Sequence, residues 1–531
     1  MPAQNTLLHK HFLLKLFPTY SAPQNPGQHR ITRALRQANR LTYNNHRHIE
    51  PVVKLLSVSR DFNDTLQLTR NMNKLLFIAL TLLTLNCYSQ DNIKIEMTES
   101  YELSNIILAL TQYGRTDKWD VQKVSPYYDE VLKYFEPVKN HPLLDSVNYS
   151  RPKWEKFLGF RTDMYAFSFN QNGKLKRDYP FNSFGPVEVD KYIDLINDFV
   201  LKSNYRQFYK NHKDFYDKIV SNYKEYYFVT KSKQFLDKVA EKPISDSKKR
   251  YVVAVSPLVG GQNCHRDTDS STTVDFPNIS KDLILGNFET DYNTRIVENH
   301  SLFTEMDHGY VNPISDKYEK LITSNFNLTK WDKESGYPGI NSFNEYMTWA
   351  VYDLFIKENF PKVADSIALQ WQYQNASRGF IAQNLFAKKV SELYFKQKAN
   401  RRIENIYKPL LKWCKKIENK IIQPTLLNID TKNFVKADIS NLAVEFSDEM
   451  NTRNPFQIQI VEFKSGNQTG KEKLIEVENA VWTNNGKKLT LKIDTDFEEF
   501  AIIFNWWGMD KPLLSENGVL LKPQSYILTK K

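Results

Sequence analysis

Cysteine is scarce in this sequence. Only Cys87, Cys264 and Cys414 occur in 531 residues. Cys264 and Cys414 could form one disulfide in an oxidising compartment, but two free, buried thiols fit the sequence equally well. The content of 41% hydrophobic and 13% aromatic residues suits a globular protein with a sizeable core, and the length is enough for two or three domains.

The sequence also lacks an apolar run long enough to cross a membrane. The clearest run, residues 75–85, is shorter than the roughly 20 residues that a spanning helix needs. Met72 and a lysine precede this run and small or polar residues follow it, which is typical of a secretory signal peptide over residues 72–89. We therefore expect an exported protein, periplasmic or secreted, in which residues 1–71 are a disordered leader or an over-extended start.

Cys87 lies near the end of the predicted signal peptide, where a lipid anchor is sometimes attached. Asn86 precedes it and fits poorly at a position that calls for a small residue. Cleavage after Ser89 would remove Cys87 altogether. The sequence therefore predicts neither a lipid anchor nor a membrane span.

An excess of charge of one sign is also missing from most of the chain. The net charge is +11, but residues 1–71 hold 10 Lys and Arg against 3 Asp and Glu. The remainder is nearly balanced, with 62 basic and 58 acidic residues. A surface of mixed sign argues against an electrostatic footprint for nucleic acid.

No phosphate-binding loop follows the clearest strand of the first half, residues 250–257. The loop at 258–267 contains Gly260 and Gly261, which free its backbone. It lacks Gly-Lys-Ser/Thr, and no helical pattern begins behind it. We therefore expect no nucleotide phosphate at this loop.

Two regions of different character follow the predicted signal peptide. Residues 90–422 show mainly helical spacing of apolar residues. From Pro424 the pattern changes to about seven short strands separated by turn signals, which is typical of an immunoglobulin-like β-sandwich over residues 423–531. These strands are expected at residues 442–446, 457–463, 473–477, 488–493, 500–505, 519–521 and 526–528. The predicted fold class is α+β, a mostly helical domain followed by a sandwich.

The most informative stretch is residues 304–308, Thr-Glu-Met-Asp-His. Apolar residues at helical spacing around it predict a helix, which Gly309 and Pro313 are expected to end. Glu305 and His308 are three residues apart and would share one face of that helix. A hydrolytic zinc site needs three protein ligands, an open position for water, and a carboxylate beside that water. The motif H-E-x-x-H supplies two imidazoles and the carboxylate, but Thr304 stands where its first histidine belongs.

These residues resemble a divergent gluzincin metallopeptidase. In that group an Asn-Glu pair on a later helix often supplies the third zinc ligand, and Asn344-Glu345 here begins the next predicted helix. The chain is also similar, over roughly residues 95–420, to a domain-of-unknown-function family of exported Bacteroidetes proteins. The resemblance implies a zincin-like fold with zinc, or another divalent metal, as the cofactor. It also implies that His308 and Glu345 are ligands and that Glu305 is the general base. The strand at 250–257 stands where the family has an edge strand that pairs with the substrate peptide.

Three substitutes for the missing histidine can be considered. His300 is eight residues from His308, about 12 Å along a helix, so one zinc ion with bonds of about 2 Å cannot reach both. His265 or Cys264 could approach from the glycine loop. Alternatively, Glu305 is itself a ligand, since Glu-x-x-His at i, i+3 holds metals in helical bundles. We take His265 as the predicted replacement for the missing histidine, so that His308, Glu345 and His265 are the three metal ligands.

Two functions from different classes fit these residues. The first is a zinc-dependent hydrolase of peptide bonds in the cell envelope, with a peptide or protein substrate. The second is a catalytically inactive, peptidase-like binding or structural protein of the envelope. An alternative without a metal site also remains, in which Glu305 and His308 form an ordinary ion pair and Glu345 pairs with a lysine. A Cys264–His265 nucleophile is a poorer candidate, because adjacent side chains rarely face each other.

Overall fold

A computed structural model describes residues 93–181, 188–240, 250–268, 272–428, 434–477 and 480–530. The predicted leader at 1–71 and the predicted signal peptide at 72–89, with Cys87, lie outside these residues. Among the described residues, no helix combines the length and the hydrophobicity that crossing a bilayer requires.

The described strands are β1 (Ile93–Glu96), β2 (Phe167–Phe169), β3 (Leu175–Arg177), β4 (Arg250–Ala254), β5 (Cys264–Asp267), β6 (Thr272–Phe276), β7 (Val435–Ala437), β8 (Leu442–Glu445), β9 (Phe456–Lys464), β10 (Asn467–Val477), β11 (Val481–Thr483), β12 (Lys488–Leu491), β13 (Glu499–Phe504) and β14 (Gln524–Lys530). The described α-helices are α1 (Glu99–Leu110), α2 (Gln112–Thr116), α3 (Pro126–Tyr134), α4 (Pro142–Ser146), α5 (Trp154–Asp163), α6 (Glu188–Lys191), α7 (Ile193–Ser203), α8 (Tyr205–Asn211), α9 (Lys213–Tyr226), α10 (Val229–Val239), α11 (Lys281–Ile284), α12 (Tyr292–Lys317), α13 (Glu319–Asn325), α14 (Leu328–Trp331), α15 (Ile340–Asn359), α16 (Ala364–Ser377), α17 (Gln383–Phe395) and α18 (Tyr407–Ile417). Short 3₁₀ helices lie at Glu136–Val138, Arg151–Lys153, Met164–Ala166, Glu404–Ile406 and Glu418–Lys420. The coarse prediction of a mixed α and β chain, helical first and β-stranded at its end, is confirmed.

A four-stranded sheet lies within the helical part, in the order β1-β4-β6-β5. Strands β1, β4 and β6 run parallel, whereas β5 is antiparallel to β6 and occupies the edge. The expectation that the strand at 250–257 is an edge strand is wrong, because β4 is paired on both sides, with β1 and β6. The sequence prediction of a continuous loop over 258–267 is wrong at its end, because β5 begins at Cys264. The polar run His265-Arg266-Asp267 carries no apolar alternation, so pairing with β6 rather than local pattern makes this segment a strand.

The two glycines before β5 are needed for space. A Cβ at Gly261 would lie 2.1 Å from the ring of Trp119, and one at Gly260 would lie 2.1 Å from the Trp119 carbonyl oxygen. Gly261 N–H also donates to that carbonyl at 2.6 Å. These glycines therefore let the loop pass directly against Trp119 and fix where β5 starts.

Helix α12 carries the most informative stretch and is longer than predicted. Asp291 caps its first turn by accepting a hydrogen bond from the Thr294 N–H. The predicted end at Gly309 and Pro313 is wrong, since the helix continues through Pro313 to Lys317. A proline inside a helix removes one backbone donor and crowds the carbonyl four residues earlier. Here that carbonyl belongs to Gly309, which has no side chain to add to the crowding.

Helix α15 packs along α12. The Tyr352 hydroxyl donates to the Ile296 carbonyl at 2.6 Å, and the Phe303 and Tyr352 rings are 5.4 Å apart. Most side chains of α15 are buried, as expected of a helix that is apolar on nearly all sides.

The C-terminal strands form two sheets that share one core. The larger sheet has the order β10-β9-β13-β14-β7, and the smaller has the order β11-β12-β8. Apolar side chains from both sheets meet in one cluster, including Val444, Ile458, Leu489, Ile502 and Leu528. The predicted strand at 519–521 is wrong, since only an isolated bridge between Leu514 and Leu520 lies there. Strands β7 and β11 were not predicted.

Helix α16 joins the helical part to the larger sheet. Tyr373 and Ala376 pack with Val461, Ile503 and Met509 in a separate apolar cluster. The Tyr373 hydroxyl also donates to the Met509 carbonyl at 3.3 Å. The two predicted regions thus share a buried contact.

Candidate functional site

The candidate site lies where α12 crosses the β5 and β6 edge of the first sheet and packs on α15. Helix α12 contributes Glu305 and His308, α15 contributes Glu345, and β5 contributes His265. All four are the residues predicted from the sequence. The structure brings some of them closer together than others.

His308 and Glu345 are in direct contact. His308 Nε2 lies 3.4 Å from Glu345 Oε1, and only 16% and 13% of these side chains are exposed. The other ring nitrogen, Nδ1, lies 3.4 Å from the side-chain oxygen of Asn312, one turn further along α12. Burial disfavours the imidazolium, but the Glu345 carboxylate outweighs that effect and raises the pKa of His308 to about 10. In the absence of metal this is a partly buried ion pair.

Glu305 is buried and interacts electrostatically with both histidines and with two other carboxylates. Withdrawal from water raises the pKa of Glu305 to about 7, against the opposing charges of His308 and His265. The carboxylates of Asp275 and Glu345 raise it further. A carboxyl group with a pKa near 7 can both accept and return a proton at neutral pH. This is the property required of a general base.

The imidazole of His265 is hydrogen-bonded to an aspartate. Its Nδ1 lies 2.7 Å from Asp275 Oδ1, and the Asp275 side chain is fully buried. The Tyr251 hydroxyl donates to the other carboxylate oxygen of Asp275. Asp275 stands between Val274 and Phe276 in β6, and an aspartate between two apolar strand residues was the available sequence signal for this partner.

Thr304 does not face the site as a ligand would. Its hydroxyl donates to the His300 carbonyl at 3.0 Å, within the same helix. His300 itself stacks on Trp371, with ring centroids 3.7 Å apart and planes 11° apart. Burial lowers the pKa of His300 well below its usual range. His300 is thus part of the packing between helices, in agreement with its exclusion as a co-ligand of His308.

Tyr337 and Arg378 border the site and were not predicted. The negative charge of Glu345 raises the pKa of Tyr337 to about 12, while Arg378 opposes this rise. Arg378 also lies over the Trp349 ring, at 5.3 Å from its centroid. The Gly-Tyr-Pro-Gly sequence before α15 signals only a turn, so nothing in the sequence marks Tyr337 as a neighbour of Glu345.

Cys264 and Cys414 are free and buried, so the disulfide alternative is wrong. Burial raises the pKa of the Cys264 thiol to about 12, which leaves it protonated at neutral pH. Cys264 and His265 also point to opposite faces of β5, as neighbours on a strand do. This arrangement does not favour a cysteine nucleophile.

The donor set can be tested against a zinc ion. Within the described ranges, no three His, Cys, Asp or Glu side chains already lie close enough together to hold a metal. The chemistry of the donors nevertheless fits zinc, which takes histidine nitrogen and carboxylate oxygen. His308 and His265 each have Nδ1 beside an acceptor, Asn312 or Asp275, as metal-binding histidines usually do. Nε2 of each ring is the nitrogen left for a metal.

Comparison with known proteins gives no family match and only weak structural similarity. No protein-family model and no curated protein matches the chain. CopC from Methylosinus trichosporium OB3b matches at 16% identity over 20% of this chain and 94% of that chain, with a TM-score of 0.15. The surface-layer protein SbsC, domains 1–6, matches at 10% identity over 47% of this chain and 37% of that chain, with a TM-score of 0.15.

The N-terminal part of the bacterial S-layer protein SbsC matches at 11% identity over 47% of this chain and 64% of that chain, with a TM-score of 0.16. This chain therefore spans less than two thirds of the length of these SbsC structures. TM-scores this low carry no argument about fold or function. The chemistry of the site has to be inferred from its own side chains.

Proposed function

We propose that this chain is an exported, zinc-dependent hydrolase of peptide bonds with a zincin-like domain at residues 90–422 and an immunoglobulin-like sandwich at 423–531. The observation that carries the proposal is the contact between His308 Nε2 and Glu345 Oε1 at 3.4 Å. These two donors come from different helices, and both interact electrostatically with Glu305. A gluzincin-type site combines histidine from a motif helix with a later glutamate in this way.

His308, Glu345 and His265 would hold the metal. Another divalent metal in place of zinc would use the same donors. When bound, the metal polarises the peptide carbonyl and lowers the pKa of a bound water. In the metal-free chain His308 is paired with Glu345 as an imidazolium. Since a metal binds the neutral imidazole, metal binding requires His308 to lose its proton. His265 has to approach the pair from the sheet edge, with Asp275 still bonded to Nδ1.

The remaining chemistry belongs to the chain's own side chains. Glu305 would take a proton from the attacking water and return it to the leaving amine, which suits its pKa of about 7. Strand β5 is at the sheet edge beside α12, where an extended peptide can add a strand through backbone hydrogen bonds. Tyr337 keeps its proton at neutral pH and offers a donor near Glu345.

A second function is favoured by Thr304. Its hydroxyl is engaged within α12, and the site lacks the first histidine of H-E-x-x-H. In this alternative the chain is a catalytically inactive, peptidase-like binding or structural protein of the envelope. It would use the same sheet edge and the same buried His308–Glu345 pair without turnover.

Metal analysis and one substitution separate the two functions. We expect the purified chain to hold about one zinc per molecule and to cleave unstructured peptides. Glu305→Gln should keep the zinc and lose at least about a hundredfold in cleavage rate, the contribution expected of a general base. Glu319→Gln, an exposed glutamate on α13, is the matched control and should change neither quantity.

The other outcomes have clear meanings. Absence of stoichiometric zinc, manganese or iron together with absence of cleavage supports the inactive alternative. Loss of metal in Glu305→Gln would make Glu305 a ligand and leave the base to another group.

A further inference from the structure

Three side chains form a line across the first sheet, on the face that carries the candidate site. His265 and Asp275 are direct partners in the antiparallel pair of β5 and β6. Val253 is the partner of Asp275 on the other side, in β4, and Tyr251 lies two residues earlier on the same face of that strand. The Tyr251 hydroxyl, the Asp275 carboxylate and His265 Nδ1 are joined by consecutive hydrogen bonds.

The line points towards α12. The charge of Glu305 acts on Tyr251, the charges of Asp275 and His265 act on Glu305, and α12 contacts both β5 and β6. His265 is 13% exposed and Asp275 is fully buried. The line therefore runs from the buried centre of the sheet to an imidazole whose charge acts on Glu305.

We propose that Asp275 is a positioning residue for His265. Asp275, itself held by Tyr251, fixes the tautomer and the direction of the imidazole so that Nε2 of His265 is the third metal ligand. The proposal rests on the proposed metal-dependent function and adds to it the source of the ligand that Thr304 cannot supply. An ionised carboxylate only accepts hydrogen bonds. His265 must therefore carry its proton on Nδ1, and Nε2 keeps the lone pair that a metal requires.

The cross-strand register makes this device specific. Directly opposite residues on an antiparallel pair hold their Cβ atoms about 4.5–5.5 Å apart, so the imidazole has little freedom to turn away from Asp275. The Tyr251 hydroxyl donates a hydrogen bond to the second carboxylate oxygen of Asp275. This bond keeps the carboxylate from rotating. Carboxylate partners of this kind usually change metal affinity about 10–100-fold when they are lost.

The tautomer can be tested without metal. In protein labelled with ¹⁵N at histidine, the ring nitrogens of His265 should show a proton on Nδ1 and none on Nε2. Asp275→Asn should shift the equilibrium towards Nε2–H, because the asparagine amide can donate to Nδ1. Unchanged nitrogen shifts in this variant would overturn the proposal whatever the metal does.

Metal affinity provides the second test, measured by competition with a chromogenic zinc chelator. We expect Asp275→Asn to weaken zinc binding about 10–100-fold, His265→Gln to weaken it at least as much, and the double variant to be no worse than His265→Gln alone. Asp316→Asn, an exposed aspartate near the end of α12, is the control and should bind like the wild type. Tyr251→Phe, which keeps the buried ring, gives a smaller loss and serves if Asp275→Asn does not fold.

Two failures are distinguishable. If His265→Gln binds zinc as tightly as the wild type while His308→Gln does not, the metal-dependent function stands and the role of Asp275 is overturned. If the wild type binds no zinc, the proposed function itself fails, and the proposal about Asp275 as a metal-positioning residue fails with it.

Discussion

Thr304 is one helical turn from His308, on the same face of α12. Residues four apart on a helix have Cβ atoms about 5–6 Å apart, the spacing at which two imidazoles share one zinc in H-E-x-x-H. The Thr304 hydroxyl instead bonds to the His300 carbonyl. The scaffold thus keeps the position of the missing ligand but fills it with a side chain turned back on its own helix.

Thr304→His should therefore gain metal affinity. We expect zinc to bind at least about tenfold more tightly than in the wild type, because an added imidazole completes the ligand pair on α12. Thr304→Val removes the hydroxyl at nearly constant volume and should leave metal affinity unchanged. Chelator competition measures both variants. Equal zinc affinity in Thr304→His and Thr304→Val would contradict the placement of this residue beside His308.

The sequence was sufficient to select Glu305, His308 and Glu345, because motif spacing and the later Asn-Glu pair depend on local order alone. It was not sufficient to find Asp275 or Tyr251. Their roles depend on the pairing of β4, β6 and β5, which joins residues distant along the chain. The metal-site roles of Glu305, His308, Glu345 and His265 all stay predictions.

At the scale of elements, α12 shows how tertiary packing overrides a local stop signal. Gly309 and Pro313 predict a helix end, yet the helix runs on to Lys317. Beyond the proline, the Ser315 hydroxyl hydrogen-bonds to the Tyr407 hydroxyl of α18 at 3.0 Å. Ile314 is also buried there. Packing of this last turn against α18 compensates for the backbone bond that proline removes.

Pro313→Ala should stabilise the protein. The substitution restores a backbone donor for the Gly309 carbonyl and removes the ring that crowds it, so we expect the free energy of unfolding to rise by about 1–3 kcal/mol. Urea unfolding followed by circular dichroism measures the change. Pro361→Ala, at the exposed turn after α15, is the control. A fall in stability for Pro313→Ala would mean that α12 needs the irregularity at this position.

The short strand β5 escaped prediction for the opposite reason. Apart from Cys264 its residues are polar, with His265 and Arg266 half-buried and Asp267 exposed, so nothing in their order distinguishes them from a loop. The strands of the C-terminal sheets were easier to find, because apolar alternation and glycine-containing turns are local signals. Strand β7 was missed because it has three residues, two of them exposed.

On the scale of the whole molecule, several carboxyl groups are withdrawn from water at once. Burial raises the pKa of four of them to about 7: Glu102, Glu298, Glu305 and Asp353. Burial also raises the pKa of Asp307 well above its usual range, and no described side chain hydrogen-bonds to its two oxygens. These groups favour the protonated, neutral form in the folded chain.

Stability should consequently fall as the pH rises from about 4.5 to 8. A carboxyl group whose folded pKa is raised contributes stability below its unfolded pKa, and this contribution is lost as the pH rises through the folded value. The raised pKa of His308, about 10, acts in the same direction above pH 6.5. The lowered pKa of His300 opposes this trend, because its contribution is lost as the pH falls through its unfolded value.

Urea unfolding at pH 5, 6, 7 and 8 measures this dependence. Glu298→Gln should make the curve shallower, since one buried acid no longer has to ionise, whereas Glu319→Gln should leave it unchanged. A free energy of unfolding that is constant or increases over this range would contradict the raised pKa values.

Helix α16 has a consequence for how this sequence can vary. One side of it holds Trp371 on His300, and Trp371 in turn meets Trp507 of the C-terminal region at 5.4 Å. The same helix places Tyr373 on Met509. A change in side-chain volume at the sheet surface therefore reaches α12 through a single rigid element. In related chains, residues at positions 300, 371 and 507 should covary, so that the two regions are inherited as one unit rather than exchanged separately.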